Sequence, residues 1–185
     1  AAQIAERHKI ALRLILLTMV RKSELRLARW EYVHLDHAEW EIPPENSKTD
    51  KGQIVYLSQQ AVDLLRGLGP GDGFLFPHRG GRTQPMAPST LNRALERATR
   101  GMNPFTVHDL RRTAATRLSE MGFNRDWIEK AMNHTLPGVR GIYNRAQYAK
   151  QRREMLQKWA DAVDRMVNGV VQDSNGLETD RHRDD

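Results

Sequence analysis

Three short stretches hold side chains whose types and spacing suit chemistry on a phosphodiester. In Thr106-Val107-His108-Asp109-Leu110-Arg111, an imidazole and a guanidinium stand three residues apart. Thr106 and Asp109 make a capping-box pattern, so His108 and Arg111 fall in the first turns of a helix and share a face. Free backbone N–H groups and the helix dipole favour an anion there. A permanently charged guanidinium can clamp nonbridging oxygens while an imidazole moves protons. Upstream, Arg21 sits in Thr18-Met19-Val20-Arg21-Lys22-Ser23-Glu24-Leu25, at a break between two helical patterns. A side chain at such a break can project into a cleft, and Glu24 can orient a neighbouring basic group. Downstream, Asn133-His134 close a short helical pattern, and Tyr143 follows the Pro137-Gly138 break. A tyrosine in that setting is either a nucleophile or a hydrophobic peg. Each stretch alone also fits a solvated helix or turn; their conjunction is what points to chemistry.

These residues need a scaffold that brings them together. Ile4, Ile10, Ala11, Leu14, Ile15 and Leu17 share a helical face, so a helix is under way almost at residue 1. From this we expect a preceding segment in the full protein. Ser23 is expected to cap a short helix through Leu25 and Ala28. Tyr32-Val33-His34-Leu35, Trp40-Glu41-Ile42 and Ile54-Val55-Tyr56-Leu57 read as three short strands. Residues 43–52, polar and turn-rich, form a hairpin tip bearing Lys48 and Lys51. Ser58 caps a helix carrying Ala61, Leu64, Leu65 and Leu68, which stops at Gly69-Pro70-Gly71. Residues 69–88 are expected to be a long loop pinned inward by Phe74-Leu75-Phe76. Ser89 starts a helix that ends at Gly101, and the helix opened by Thr106 stops at Gly122. A short helix is expected around residues 126–132. A last helix should run from about Arg145 to about Asn168, with Tyr148, Met155, Trp159, Val163 and Met166 on one stripe. The sum is a mainly α fold with a small antiparallel three-stranded sheet. We expect an ordered body over residues 1–168 and a polar, disordered tail over 169–185.

The 185 residues hold 29 Lys plus Arg against 23 Asp plus Glu, a net charge of +6. Residues 1–150 carry +8 and residues 151–185 carry −2. A basic body suggests a polyanion partner, most often nucleic acid. There is no cysteine, which excludes disulfide scaffolds, thiolate zinc sites, iron–sulfur clusters and cysteine nucleophiles. The longest apolar run, Leu14 to Leu17, is far short of a membrane span. Glu6, Arg7, His8 and Lys9 interrupt the apolar core a signal peptide needs. The expectation is a soluble, cytoplasmic, nucleoid-associated protein. His34, Asp36 and His37 are close in sequence, but strand alternation separates His37 from the other two, and no metal site is expected.

The run Phe105-Thr106-Val107-His108-Asp109-Leu110-Arg111-Arg112-Thr113-Ala114-Ala115-Thr116-Arg117-Leu118, followed by His134 and Tyr143, resembles the tyrosine recombinase (phage integrase) family, most of all its prophage-integrase branch. Leu16-Leu17-Thr18 through Arg21 and Ser23-Glu24-Leu25 resembles the family's first arginine box. Trp40-Glu41-Ile42-Pro43 to Lys48, then Ile54-Val55-Tyr56-Leu57-Ser58, resembles its β-hairpin with the catalytic lysine. The resemblance covers roughly residues 10–160. It implies that Arg21 and Arg111 clamp a scissile phosphate, that Lys48 protonates the leaving 5′ oxygen, and that His108 assists proton transfer. It further implies that His134 hydrogen-bonds the phosphate, that Tyr143 is the nucleophile, and that Glu24 is the acidic support. Lys51 is the runner-up for the hairpin lysine. Arg112 must point elsewhere on its helix and reads as structural or as a DNA contact. Three positions depart from the family pattern: Met19 and Asn133 where glycine is usual or frequent, and Tyr56 where proline is common. Met19 bears most on the site, because a Cβ forbids conformations that glycine allows.

The chemistry so implied is transesterification through a 3′-phosphotyrosyl link, with no cofactor and no metal. His108 and a water both remain as acceptors of the tyrosine proton. The implied partners are double-stranded DNA, a homo-tetramer on recombination sites, and accessory DNA-bending or directionality factors. The family places a separate DNA-binding domain before the catalytic one, and no such domain stands in this chain. The last helix can pack on its own chain or on a neighbour. Rival readings are a type IB-like topoisomerase, a catalytically silent DNA-binding module and a basic ribosome-associated or RNA-binding protein. The charge makes one direct prediction: binding to duplex DNA falls steeply with salt, by a log–log slope of about −0.9 per phosphate contacted. Titrations across a salt series measure this, and a flat response would contradict a phosphate-led interaction.

Overall fold

A helix that is apolar on several faces has to be covered on several faces. Helix α1 (Glu6–Thr18) is such a helix: Ile10, Ala11, Leu12, Leu14, Ile15, Leu17 and Thr18 are all buried. The structure, a computed structural model, describes residues 4–48, 50–69, 71–134 and 148–176. Around α1 pack α3 (Gln59–Gly67), α4 (Thr90–Ala98), α5 (Val107–Glu120) and α7 (Ala149–Gly176). The short α2 (Lys22–Arg26) and α6 (Arg125–Ala131) complete the α-helices among the described residues. α1 starts at Glu6, slightly later than its apolar pattern suggests. α2 is capped by Arg21, two residues before the expected Ser23, because the Glu24 carboxylate reaches back to accept from the Arg21 N–H.

The expected three-stranded antiparallel sheet forms from β1 (Val33–His34), β2 (Glu39–Ile42) and β3 (Gln53–Tyr56), in that order. Trp40 faces Val55 and Ile42 faces Gln53 across β2 and β3. Trp40 and Ile42 are buried while Glu41 between them is exposed, the period-two alternation of a half-covered sheet. β1 is shorter than its apolar run because 3₁₀ turns at Trp30–Tyr32 and Leu35–His37 bracket it, whereas β2 begins one residue early at Glu39 and β3 is shifted by one residue to Gln53–Tyr56. A second hairpin, β4 (Pro77–His78) with β5 (Gly81–Pro85), occupies what the sequence suggests is loop. Its residues lack apolar alternation; backbone pairing across the Arg79-Gly80 turn makes the strands. Leu75 and Phe76 are buried as expected, and Leu75 donates its N–H to Ala28 O at 2.9 Å.

Ser58 and Thr106 cap their helices as expected, while Ser89 precedes α4 without a side-chain cap bond. Ser58 Oγ accepts from Ala61 N, Thr106 Oγ1 from Asp109 N, and Asn124 Oδ1 from Asp126 N. α5 ends in a Schellman motif, with Phe123 N donating to Leu118 O and Gly122 N to Ser119 O. Gly122 takes φ +82, which its missing Cβ permits.

α7 departs from its expected course at both ends. Arg145 lies outside the described residues, and the described helix starts at Ala149. Tyr148 precedes it at φ 49 and packs against Trp127, at 6.5 Å between ring centres, instead of joining the stripe. Met155 and Trp159 are buried, but Met166 is 48% exposed. The helix continues to Gly176, past Asn168. Scarce apolar residues argue against burial, not against helix, and no proline interrupts the run. Over its packed part α7 lies on its own chain: Trp159 Nε1 donates to Leu16 O at 2.8 Å, and Gln157 Nε2 to Gln60 Oε1.

Two apolar clusters result among the described residues. One joins α1, α3, α4 and the sheet; the other joins α5, α6 and α7 and includes Met19 and Tyr56. Met19 is fully buried yet holds φ 58 and ψ 21, the left-handed conformation that ends α1. Relief of that strain is worth about 1–2 kcal/mol, whereas truncating a buried Met costs about 2–5 kcal/mol. Met19→Gly should therefore destabilise the chain, by about 2 kcal/mol. A urea melt checks this as a lower midpoint at unchanged slope; an unchanged or higher midpoint would show that strain outweighs packing.

Candidate active site

The carbonyl end of α6 gathers the predicted residues. Met132 O accepts from Arg111 Nη2 at 3.1 Å, and the next carbonyl, Asn133 O, accepts from Arg21 Nη2 at 3.1 Å. One residue earlier, Ala131 O accepts from Gln53 Nε2 at 3.2 Å. Three successive carbonyls thus hold side chains from α5, from the α1–α2 break and from β3. A helix C-terminus carries partial negative charge, which favours cations there.

Arg21 is placed by its neighbours as well. Its backbone N–H donates to Glu24 Oε2 at 2.7 Å and its Nη1 to Glu24 Oε1 at 2.9 Å. Glu24 is 1% exposed, so this carboxylate is spent on Arg21 rather than on solvent. Arg111 is also 1% exposed. Burial first, and the charge of Arg21 second, push its pKa down to about 10, against a pull from Glu24. Its Nε and Nη1 have no hydrogen-bond partner among the described residues. Two guanidiniums beside one carboxylate leave a net positive charge with unspent donors, an arrangement that suits an oxyanion.

His134 follows on the same turn. Its Nδ1 lies 2.7 Å from Glu129 Oε2. With Nδ1–H donating to that carboxylate, Nε2 is left for a ligand. His108 is exposed in the first turn of α5, one turn before buried Arg111. Lys48 is exposed and directly follows Ser47, whose Oγ accepts from Asn133 Nδ2 at 3.0 Å. That bond fastens the hairpin to the turn that holds both arginines. Lys51 is exposed too, and its charge reaches Lys130 on α6; burial, then Arg152, then Lys51 lower the Lys130 pKa. Arg112 is turned away as expected, paired with Asp109 at 3.2 Å. Tyr143 lies outside the described residues. Among the described residues no cluster of His, Asp or Glu is arranged to hold a metal, and no helix is long and apolar enough to cross a membrane.

Sequence patterns did not reveal Gln53, Ser47 or Glu129 as parts of the site. The first two act through links of more than seventy residues, and Glu129 lies five residues from His134, off the helical face rule. Asn133 left a trace, as a non-glycine where glycine is frequent. It holds φ 52, and its side chain makes the bond to Ser47.

The sequence model of the phage integrase family matches residues 1–150. This chain belongs to the phage integrase family. Among its relatives in that family is the prophage integrase IntZ of Escherichia coli K12, 42% identical over 164 residues, covering 86% of this chain and 40% of IntZ. Another, IntA of the same strain, is 40% identical over 160 residues, 84% of this chain and 38% of IntA. The chain thus spans about two-fifths of the length of the curated integrases it matches. Among solved structures, the integrase of mycobacterium phage Brujita superposes with a TM-score of 0.69 at 18% identity, over 86% of this chain and 53% of that one. The fold is therefore that of a tyrosine recombinase catalytic domain.

The cap of α5, which precedes Arg111, is set by a carboxylate. Asp109 Oδ2 accepts from Thr106 N at 2.9 Å and from Thr106 Oγ1 at 2.7 Å. The backbone bond first, the hydroxyl second and Arg112 last hold the Asp109 pKa below its ordinary 3.8. With the folded-state value below the unfolded one, the unfolded chain binds more protons in between. The contribution to stability is thus complete above pH 3.8 and lost as pH falls through the lower, folded-state value. Asp109→Asn should accordingly lower stability near neutral pH, and the gap to the parent chain should close in acid. Urea melts at both pH values test this; a gap that stays constant would mean that the carboxylate charge does not set the cap.

Proposed function

We propose that this chain is the catalytic domain of a site-specific DNA recombinase. It cleaves and rejoins DNA strands through a 3′-phosphotyrosyl intermediate, in the integration or excision of a prophage or other mobile element. The observation that carries this is the pair of guanidiniums on successive carbonyls, with two buried donors of Arg111 unspent. Arg21 and Arg111 bind the nonbridging oxygens, and His134 as the imidazolium, its Nδ1–H on Glu129, donates Nε2–H to the same group. Tyr143 attacks phosphorus in line while its proton leaves to His108 or to water. Lys48 protonates the departing 5′ oxygen. Glu24 orients Arg21. The phosphoester bond energy stays in the covalent link, so a 5′ hydroxyl from another strand reverses the step.

The transition state gains negative charge on its equatorial oxygens. Donors already fixed by α6 need no reorganisation to meet it, and losing one such donor costs about 3–4 kcal/mol. Double-stranded DNA is the substrate, and four protomers assemble on paired sites. The names of the curated relatives support this role, and a solved Tn1549 transposon integrase of the same fold is described in complex with transposon right end DNA. Tyr143→Phe should abolish covalent DNA adducts and keep DNA binding. Denaturing gels of the intact protein on duplexes carrying its own junction sequence, mapped by sequencing recombinant products, test this. An adduct in the variant would overturn the nucleophile assignment. Relaxation of any supercoiled plasmid without a specific site would favour a topoisomerase instead.

A further inference from the structure

The first turns of α7 are bound to the sheet that carries the lysine hairpin. Arg152 is 2% exposed, donates from Nη2 to Ile54 O at 2.7 Å, and places its guanidinium 4.9 Å from the centre of the Tyr56 ring. Arg153 lies 4.3 Å from the same ring centre, donates to His37 O at 3.0 Å and pairs with the Glu39 carboxylate. Glu39 and Tyr56 are register partners across β2 and β3, so one cross-strand pair receives both arginines. The segment bearing Lys48 and Lys51 joins those two strands. Its stems are therefore held by α7, while Ser47 and Gln53 fasten its shoulders to the end of α6.

We propose that Arg152, Arg153 and Tyr56 are positioning residues for the leaving-group acid, so that delivery of the Lys48 proton depends on α7 being docked. This rests on Lys48 being that acid. In the step concerned, the tyrosine oxygen bonds to phosphorus as the bond from phosphorus to the 5′ oxygen breaks. The Lys48 ammonium gives its proton to that oxygen and is left as the neutral amine. Proton transfer needs the donor within hydrogen-bond reach of the departing oxygen. The arginines are held by the α6 carbonyls and Glu24, which Arg153 does not touch, so losing the Arg153 contacts to the sheet impairs the acid while the phosphate stays held.

A pair of duplexes that differ only in oxygen or sulfur at the 5′ bridging position separates these effects, because a thiolate leaves without a proton. Single-turnover cleavage is measured with the intact protein on its mapped junction sequence. Arg153→Gln is expected to slow the oxygen substrate about 10- to 100-fold and leave the sulfur substrate at the parent rate. Tyr56→Leu should do the same, and Tyr56→Phe, which keeps the ring, should restore the oxygen rate. Either of the first two variants decides alone: equal slowing on both substrates, or none on either, overturns the proposal. Lys48→Ala is the control. If sulfur fails to rescue it, Lys48 is not the acid and both readings fall; if sulfur rescues Lys48→Ala but not Arg153→Gln, only the positioning role falls.

Discussion

The site depends on the carbonyl end of one two-turn helix. Arg111 is a cation with almost no exposure, and desolvating such a charge without partners costs several kcal/mol. α6 offsets part of that cost, because its last carbonyls are unsatisfied within the helix and point where the guanidiniums arrive. Glu24 offsets more, but it is a single carboxylate between two cations. The result is a cluster built short of neutrality. Its deficit is one anion, the place the proposed function gives to the scissile phosphate.

Holding the arginines there requires backbone that ordinary residues avoid. Met19 and Asn133 both sit in the left-handed region, one just before Arg21 and the other supplying its carbonyl. Glycine would adopt these conformations more readily but would bring no side chain. Met19 fills the cluster of α5, α6 and α7, and Asn133 ties the lysine hairpin to the arginine clamp. Tyr56, the third departure from the family pattern, lies in that same cluster and receives both α7 arginines. All three departures thus exchange backbone ease or rigidity for a contact that joins site elements together.

Much of this was legible in the sequence. Apolar spacing located the helices, and Ser58 and Thr106 lie where capping chemistry puts them. Period-two alternation located the sheet, and spacing picked out Arg21, Glu24, Arg111 and His134, which the structure brings to one end of α6. The β4–β5 hairpin was not legible, because it is made by backbone pairing with little apolar signal. The roles of Ser47, Gln53 and Glu129 were not legible either, since hydrogen bonds to carbonyls and across long chain separations leave no period. Tyr148 was misassigned to the α7 stripe because periodicity cannot see a left-handed residue just before a helix.

Two anchoring systems therefore meet at the site, and they differ in what they fix. The arginines are fixed by α6 through short bonds to consecutive carbonyls, a rigid arrangement with little slack. The lysine hairpin is fixed by side chains reaching between separate elements: Asn133 to Ser47, Gln53 to Ala131, Arg152 to Ile54 and Arg153 to Glu39. Lys48 and Lys51 themselves remain exposed. In the proposed reaction that division is useful. The groups that bind the phosphate have to be in place before chemistry starts, whereas the acid is needed only when the 5′ oxygen departs. A binding clamp can thus be built into the core, and the acid can be left under the control of whichever helix is docked against its strands.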